Sequence, residues 1–258
     1  MTETDNRPLR LLIASGNEGK VREFRRLLAD ATCAEDASDA AAAACATASV
    51  RAWEVLSLAD LALLWKSETL GGLPPVNGDG EQAEKAIAGR YARLLESMEE
   101  TGTTFEENAT IKARGAASFT GLLTLADDSG LEVDCLGGAP GVYSARFAGP
   151  DGDEKACNAL LLRRMRGVAE GERVARYRAV LVLAAPDEVL HVASGVCEGR
   201  IGFAPAGSGG FGYDPLFLVE GDTRTLAQLT MEEKNRISHR AKAMAQMRRF
   251  LTTLTKQC

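Results

Sequence analysis

The sequence predicts an α/β fold built on a mixed sheet. Short apolar runs of strand length alternate with stretches of helical period. A glycine-containing turn separates the first apolar run from the first helical stretch. Residues 174–201 alternate in places and break at Ala185-Pro186-Asp187, which reads as an antiparallel pair of strands. With 258 residues the chain is long enough to bury a sizeable core.

Leu9–Ala14 is an apolar run after a polar tail and reads as a buried first strand. Ser15-Gly16-Asn17-Glu18-Gly19-Lys20 follows as a tight turn. Val21, Phe24, Leu27 and Leu28 then recur at helical spacing. Residues 34–50 are alanine-rich and read as a helix or a loosely ordered insert. Trp53–Leu58 reads as a second strand, and residues 66–80 as a loop from their Gly and Pro content. Glu81–Met98 and Glu106–Thr120 keep helical period, and Leu122–Ala126 reads as a strand ended by Asp127 and Asp128. Glu154–Arg166 is helical, with Cys157, Leu160, Leu161 and Met165 on one side. The closing helix starts near Ser238, which caps it, and buries Met244, Met247, Phe250, Leu251 and Leu254.

Composition narrows the function classes. A net charge of −6 argues against a broad basic face for long nucleic acid, while leaving room for a small phosphorylated ligand. The six cysteines (Cys33, Cys45, Cys135, Cys157, Cys197, Cys258) form no C-x-x-C pair, and there are two histidines, His191 and His239. A zinc site is not expected from that set. No apolar stretch has the length that spans a bilayer, and the N-terminus does not read as a signal peptide. A cytoplasmic protein with free thiols is the expectation.

Four segments carry chemistry. The Ser15–Lys20 turn, between strand and helix, aims backbone N–H groups and a positive dipole end at a phosphate. It lacks Walker A spacing, and a plain strand–helix turn with a surface lysine is the competing reading. The second segment is the acidic set Glu99, Glu100, Glu106, Glu107, Asp127 and Asp128. Clustered carboxylates are usually a solvated face, but Asp127 and Asp128 follow an apolar strand directly, where paired acids suit Mg²⁺ and an activated water. The third, Gly207–Phe217, sets Phe211, Tyr213 and Asp214 among glycines. An aromatic there stacks on a base or fills the core, and the core is expected for Phe217. The fourth, Lys234–Arg240, gathers cations and donors at a helix start. His191 reads as structural.

Taken in order, SGNEGK, TFEENATIKAR, ADDSGLEVDCLGGAPGVYSARFAG, GGFGYDPLF and KNRISHRAKA resemble the inosine triphosphate pyrophosphatase family. The resemblance covers about residues 9–30 and 100–255. It implies an elongated mixed sheet flanked by helices, two lobes with the active-site cleft between them, and a homodimer. It implies Mg²⁺-dependent hydrolysis of ITP, dITP or XTP to the monophosphate and pyrophosphate. By motif position, Ser15, Gly16, Asn17, Gly19 and Lys20 would hold the triphosphate, with Lys112 as a second cation. Glu100, Asp128 and Asp127 would serve the metal, Asp128 also accepting the proton of water, and Ser129 would touch substrate. Phe211, Gly212, Tyr213 and Asp214 would line the base pocket. Lys234, His239 and Arg240 would contact base and phosphates.

Two departures stand out. Ser15 replaces the family's usual Thr and keeps the hydroxyl. The material between Cys33 and Met98 is longer than the family needs, giving a single domain over 1–258 with inserts at about 34–50 and 62–98. A helix continuing from the second insert through Glu100 would carry that glutamate away from the metal. Such inserts motivate an alternative, a nucleotide-binding protein of the same fold without hydrolysis. A third reading keeps the fold and turns to modified pyrimidine nucleotides.

Overall fold

The computed structural model describes residues 9–29, 53–78, 80–150 and 153–257. The alanine-rich stretch expected as the first insert lies outside the described residues. One mixed sheet of six strands organises the rest: β1 (Leu9–Ile13), β2 (Trp53–Ser57), β3 (Leu123–Val133), β4 (Val174–Ala184), β5 (Val189–Ile201) and β6 (Phe217–Val219), in the order β2-β1-β3-β4-β5-β6. β1 runs parallel to both neighbours. β3 to β6 pair antiparallel in sequence. The helices are α1 (Glu18–Ala29), α2 (Leu61–Ser67), α3 (Glu81–Ser97), α4 (Phe105–Thr120), α5 (Glu154–Arg164), α6 (Met231–Ile237) and α7 (His239–Gln257). No described helix is long and apolar enough to cross a membrane.

The alternation of strand side chains divides the core. On one face, Ala126, Val180 and Val182 pack with the alanines of α4 and with Trp65 of α2. On the other face, Leu125, Leu181 and Leu183 pack under α1 and α7 with Phe24, Met244 and Met247. A third cluster gathers Leu131, Val133, Tyr177 and Phe217 with Leu161 of α5 at the far ends of β3 and β4. The long strands therefore run from a two-faced core into a separate apolar lobe, and the middle of β3 lies between them.

Local chemistry sets the helices that deliver the site. α4 opens on a capping box, Thr104 accepting from the Glu107 N–H while Glu107 accepts from Thr104, and it stops at Gly121, whose φ is 72°. α7 crosses β5 at Gly195, where an added Cβ would stand 2.1 Å from the His239 carbonyl oxygen. Only glycine permits that approach, and it lets His239 and Arg240 arrive at the sheet. Ser238 caps α7 by accepting from the Ala241 N–H at 3.1 Å.

One expectation is corrected. Asp127 and Asp128 do not end a strand, because β3 continues to Val133, held by an unbroken antiparallel register with β4 from Thr124↔Ala184 to Val133↔Ala175. What ends at Leu125 is the parallel partner β1. The apolar run stops there because the strand leaves the two-faced core, not because the strand stops.

Candidate active site

Adjacent residues on a strand face opposite sides, so Asp127 and Asp128 belong to two different environments. They were expected to share one metal. The structure turns their carboxylates apart, and their surroundings differ in sign.

Asp127 points toward α1 and α7. Its carboxylate meets Lys20 Nζ at 2.6 Å and Arg240 Nε at 3.6 Å, with side-chain exposure of 1%. Ser129 donates to the same Asp127 oxygen at 3.1 Å and accepts from Arg240 at 2.8 Å. Arg240 also pairs with the buried Glu23 at 3.3 Å. Burial pushes the Asp127 carboxyl up, but Lys20 and then Arg240 more than reverse it and hold it well below the usual carboxylate range. Burial lowers the Lys20 ammonium, which Asp127 only partly opposes. Lys20 sits in the first turn of α1, and Asn17 Oδ1 accepts from its backbone N–H at 3.1 Å.

Asp128 points toward α4. Lys112 Nζ reaches Asp128 Oδ1 at 3.2 Å, Glu100 Oε1 at 2.5 Å and the Asp127 carbonyl at 2.7 Å. Arg146 approaches the other Glu100 oxygen at 3.6 Å. α3 ends at Ser97, so Glu100 is free of the helix and reaches this cluster. Burial raises the Asp128 carboxyl, Lys112 opposes it, and Glu100 and Asp127 add to the rise, leaving it above its ordinary value. Burial would lower Lys112, but Asp128 and Glu100 outweigh it and raise the ammonium.

A cavity of about 370 Å³ opens on the Asp127 side of β3. Asn17, Lys20, Ser129 and Arg240 line its polar end; Phe211, Tyr213, Tyr177 and His239 line its aromatic end, with Gly212 and Asp214 in the wall. Phe211 is half-buried, and Lys234 and Arg240 lie 4.9 and 5.0 Å from its ring centroid. His239 stacks on Tyr177 at 4.8 Å, and neither ring nitrogen has a hydrogen-bond partner. Burial, then the Arg240 charge, pushes its pKa well down, so the imidazole is neutral. It carries one donor and one acceptor, both buried and unpaired within the protein.

Several expected residues serve the scaffold. Lys234 is buried and spends its charge on Asp214 at 2.7 Å. Asp214 in turn accepts from the Phe211 backbone N–H at 2.9 Å and so ties down the aromatic loop. The Tyr213 hydroxyl donates to the Ser144 carbonyl at 2.8 Å. Ser15 accepts from the Asn17 N–H at 3.2 Å within the turn, and Ser15, Gly16 and Gly19 stand outside the cavity wall. Phe217 is fully buried and His191 stacks on Phe250 at 4.4 Å, both as expected for structural residues.

Sequence reading missed Glu23, Asn108, Arg146 and Tyr177. Two of them carried a signal. Glu23 follows Lys20 by three residues and Asn108 precedes Lys112 by four, so each shares a helix face with a recognised lysine.

The Ham1 family model matches residues 80–250. A dITP/XTP pyrophosphatase of Desulforamulus reducens is 55% identical over 157 residues, 61% of this chain and 78% of that protein. One of Streptomyces coelicolor is 40% identical over 234 residues, 91% of this chain and 92% of its own length. The structure of the Staphylococcus aureus Ham1 protein aligns with a TM-score of 0.66 and 31% identity, covering 95% of this chain and 99% of that one. Lys112, Asp127, Asp128, Phe211 and Arg240 fall in the matched span while Asn17, Lys20 and Glu23 precede it, and the chain belongs to the Ham1 family.

Proposed function

We propose that this protein hydrolyses non-standard purine nucleoside triphosphates, ITP, dITP and XTP, to the monophosphate and pyrophosphate. The observation that carries the reading is the division of labour across β3. A cation-lined cavity with an aromatic end lies on one side, and Asp128 stands in an oxygen-rich cluster on the other. The names of the relatives from Desulforamulus reducens and Streptomyces coelicolor support the substrate class.

The residues present fit a divalent cation. Lys112 Nζ lies where oxygens of Glu100, Asp128 and the Asp127 backbone converge, an all-oxygen donor set that already attracts a cation. No cage of three or more His, Cys, Asp or Glu side chains occurs among the described residues. Two protein carboxylates completed by phosphate oxygens and water is the arrangement Mg²⁺ prefers. Glu100 and Asp128 would hold it; Asp127 is turned the other way and serves Lys20 and Arg240 instead. When bound, the ion would neutralise phosphate charge and acidify a water.

The chain's own groups supply the rest. Lys20 and Arg240 attract the polyphosphate, and Lys112 offsets charge near Asp128. Asp128 takes the proton of the attacking water, which bonds to the α-phosphorus while pyrophosphate leaves. Phe211, which lines the cavity, takes the base. Arg240, beside His239, can only donate, so it matches a 6-oxo purine and leaves an adenine 6-amino group unmatched, which disfavours ATP.

Nothing in the described structure favours a non-hydrolysing binder, since the helix of the second insert stops at Ser97 and Glu100 reaches the cluster that a continued helix would have denied it. The family resemblance supports a homodimer that removes such nucleotides from the pool, and sedimentation velocity checks the dimer. The first test is incubation with ITP, XTP, dUTP, ATP and GTP, with and without Mg²⁺. Mg²⁺-dependent IMP and pyrophosphate is the expected result. Preferred hydrolysis of a pyrimidine nucleotide, or ITP binding with no product, sinks the proposal.

A further inference from the structure

We infer that Asn108 is the positioning residue that selects which oxygen of Asp128 works and holds Glu100 in register with it, an assignment that rests on the reading of the site given above. Asn108 lies in the first turns of α4 and is completely buried. Its Oδ1 accepts from the Gly102 backbone N–H at 2.8 Å, and its Nδ2 donates to Asp128 Oδ2 at 3.2 Å. A backbone N–H can only donate. The amide oxygen must therefore face Gly102, and the amide NH₂ must face Asp128.

Two consequences follow. Asp128 Oδ2 is held as an acceptor, so the oxygen left for chemistry is Oδ1, which faces Lys112 Nζ at 3.2 Å. In the hydrolytic step the O–H bond of water breaks, its proton passes to Oδ1, and the oxygen bonds to phosphorus. The P–O bond to pyrophosphate breaks and the leaving group keeps the electron pair. Asn108 and Lys112 are four residues apart on one helix face, so α4 grips Asp128 through both oxygens, one by an amide and one by an ammonium.

The second consequence concerns Glu100. Gly102 belongs to the short segment between α3 and α4 that carries Glu100. An added Cβ at Gly102 would stand 2.6 Å from Glu107 Cβ and 2.8 Å from Asn108 Oδ1, so only glycine lets the segment sit against the amide. One buried side chain thus links segments 6 residues before it and 20 after it. Both carboxylates that face Lys112 are fixed by that link.

The test compares full-length wild type with Asn108→Asp and Asn108→Leu by ITP kinetics in Mg²⁺, by calorimetric titration with Mn²⁺ alone, and by thermal melting. Asn108→Asp keeps an acceptor for Gly102 and removes the donor to Asp128. Both variants are expected to lose roughly 10- to 100-fold in kcat with KM for ITP changed by less than about threefold. Asn108→Leu is also expected to weaken Mn²⁺ binding about tenfold or more. Asn108→Asp should melt closer to wild type than Asn108→Leu, because its loop bond survives. A kcat for Asn108→Asp within about twofold of wild type, or a loss confined to KM, overturns the inference. Should Asn108→Leu not fold, Asn108→Asp decides. Should wild type fail to turn over ITP, the functional reading falls and the Mn²⁺ affinities still decide the role of Asn108.

Discussion

Asp127 and Asp128 are neighbours in sequence and opposites in physics. On the Asp127 side, two carboxylates, Asp127 and Glu23, face two cations, Lys20 and Arg240, in a network that is nearly closed to solvent. On the Asp128 side, Glu100 and Asp128 share Lys112, with Arg146 standing off at 3.6 Å. The first arrangement locks a carboxylate in its charged form; the second leaves one strained toward protonation. Environments that push like groups apart in this way are where acid and base roles are found, and under the proposed function Asp128 is the working acid. The difference comes from the two-residue period of a strand crossing between lobes.

The comparison breaks most sharply on rate. Asp128→Asn keeps the side-chain shape and removes the proton acceptor. We expect turnover of ITP to fall by roughly 10²- to 10⁴-fold, the usual worth of a positioned general base, with ITP binding largely retained. Denaturant unfolding should show little loss of stability, since the carboxylate was already disfavoured by burial. Near-normal turnover would remove Asp128 from the chemistry.

Asp127→Asn should show the reverse order of effects. It strands Lys20 and Arg240 with Glu23 as the remaining carboxylate of that network. Breaking a buried ion pair by removing one partner costs about 3–5 kcal/mol, so urea unfolding should register the loss directly. Activity should fall mainly through KM, as the two cations lose the anchor that aims them at substrate. If Asp127→Asn and Asp128→Asn give the same pattern, the two faces are not functionally distinct.

How far this was readable in the sequence depends on the range of the interaction. Although the turn read over Ser15–Lys20 is shorter, because Glu18, Gly19 and Lys20 already belong to α1, the break at Ala185-Pro186-Asp187 and the buried face of α7 follow from local chemistry and stand in the structure. The continuation of β3 past Ala126 does not, because its warrant is pairing with β4, some fifty residues on. The opposite orientation of the two acids was hidden by the same error, since a strand that ends has no second face. Lys234 was read as a ligand-facing cation from its neighbours, yet its partner Asp214 lies 20 residues away. The roles of Glu23 and Asn108 likewise depend on partners brought close by the fold, although helical spacing already placed each beside a recognised lysine.

The smallest expected effect sharpens the comparison at the aromatic end of the cavity. Phe211 is held by its own loop, through Asp214 and Lys234, and contributes a half-exposed ring rather than charge. Base stacking on an aromatic is worth about 1–3 kcal/mol, so Phe211→Ala should raise KM for ITP by about five- to 150-fold. The chemistry proposed for the Asp128 side of β3 does not involve this ring, so kcat should stay close to wild type. Steady-state kinetics over a range of ITP concentrations separates the two parameters. An unchanged KM with a lowered melting temperature would assign Phe211 to the core and leave the cavity without a stacking partner for the base. A fall in kcat alone would mean that base binding and water attack are coupled across the strand, and that the two faces work as one.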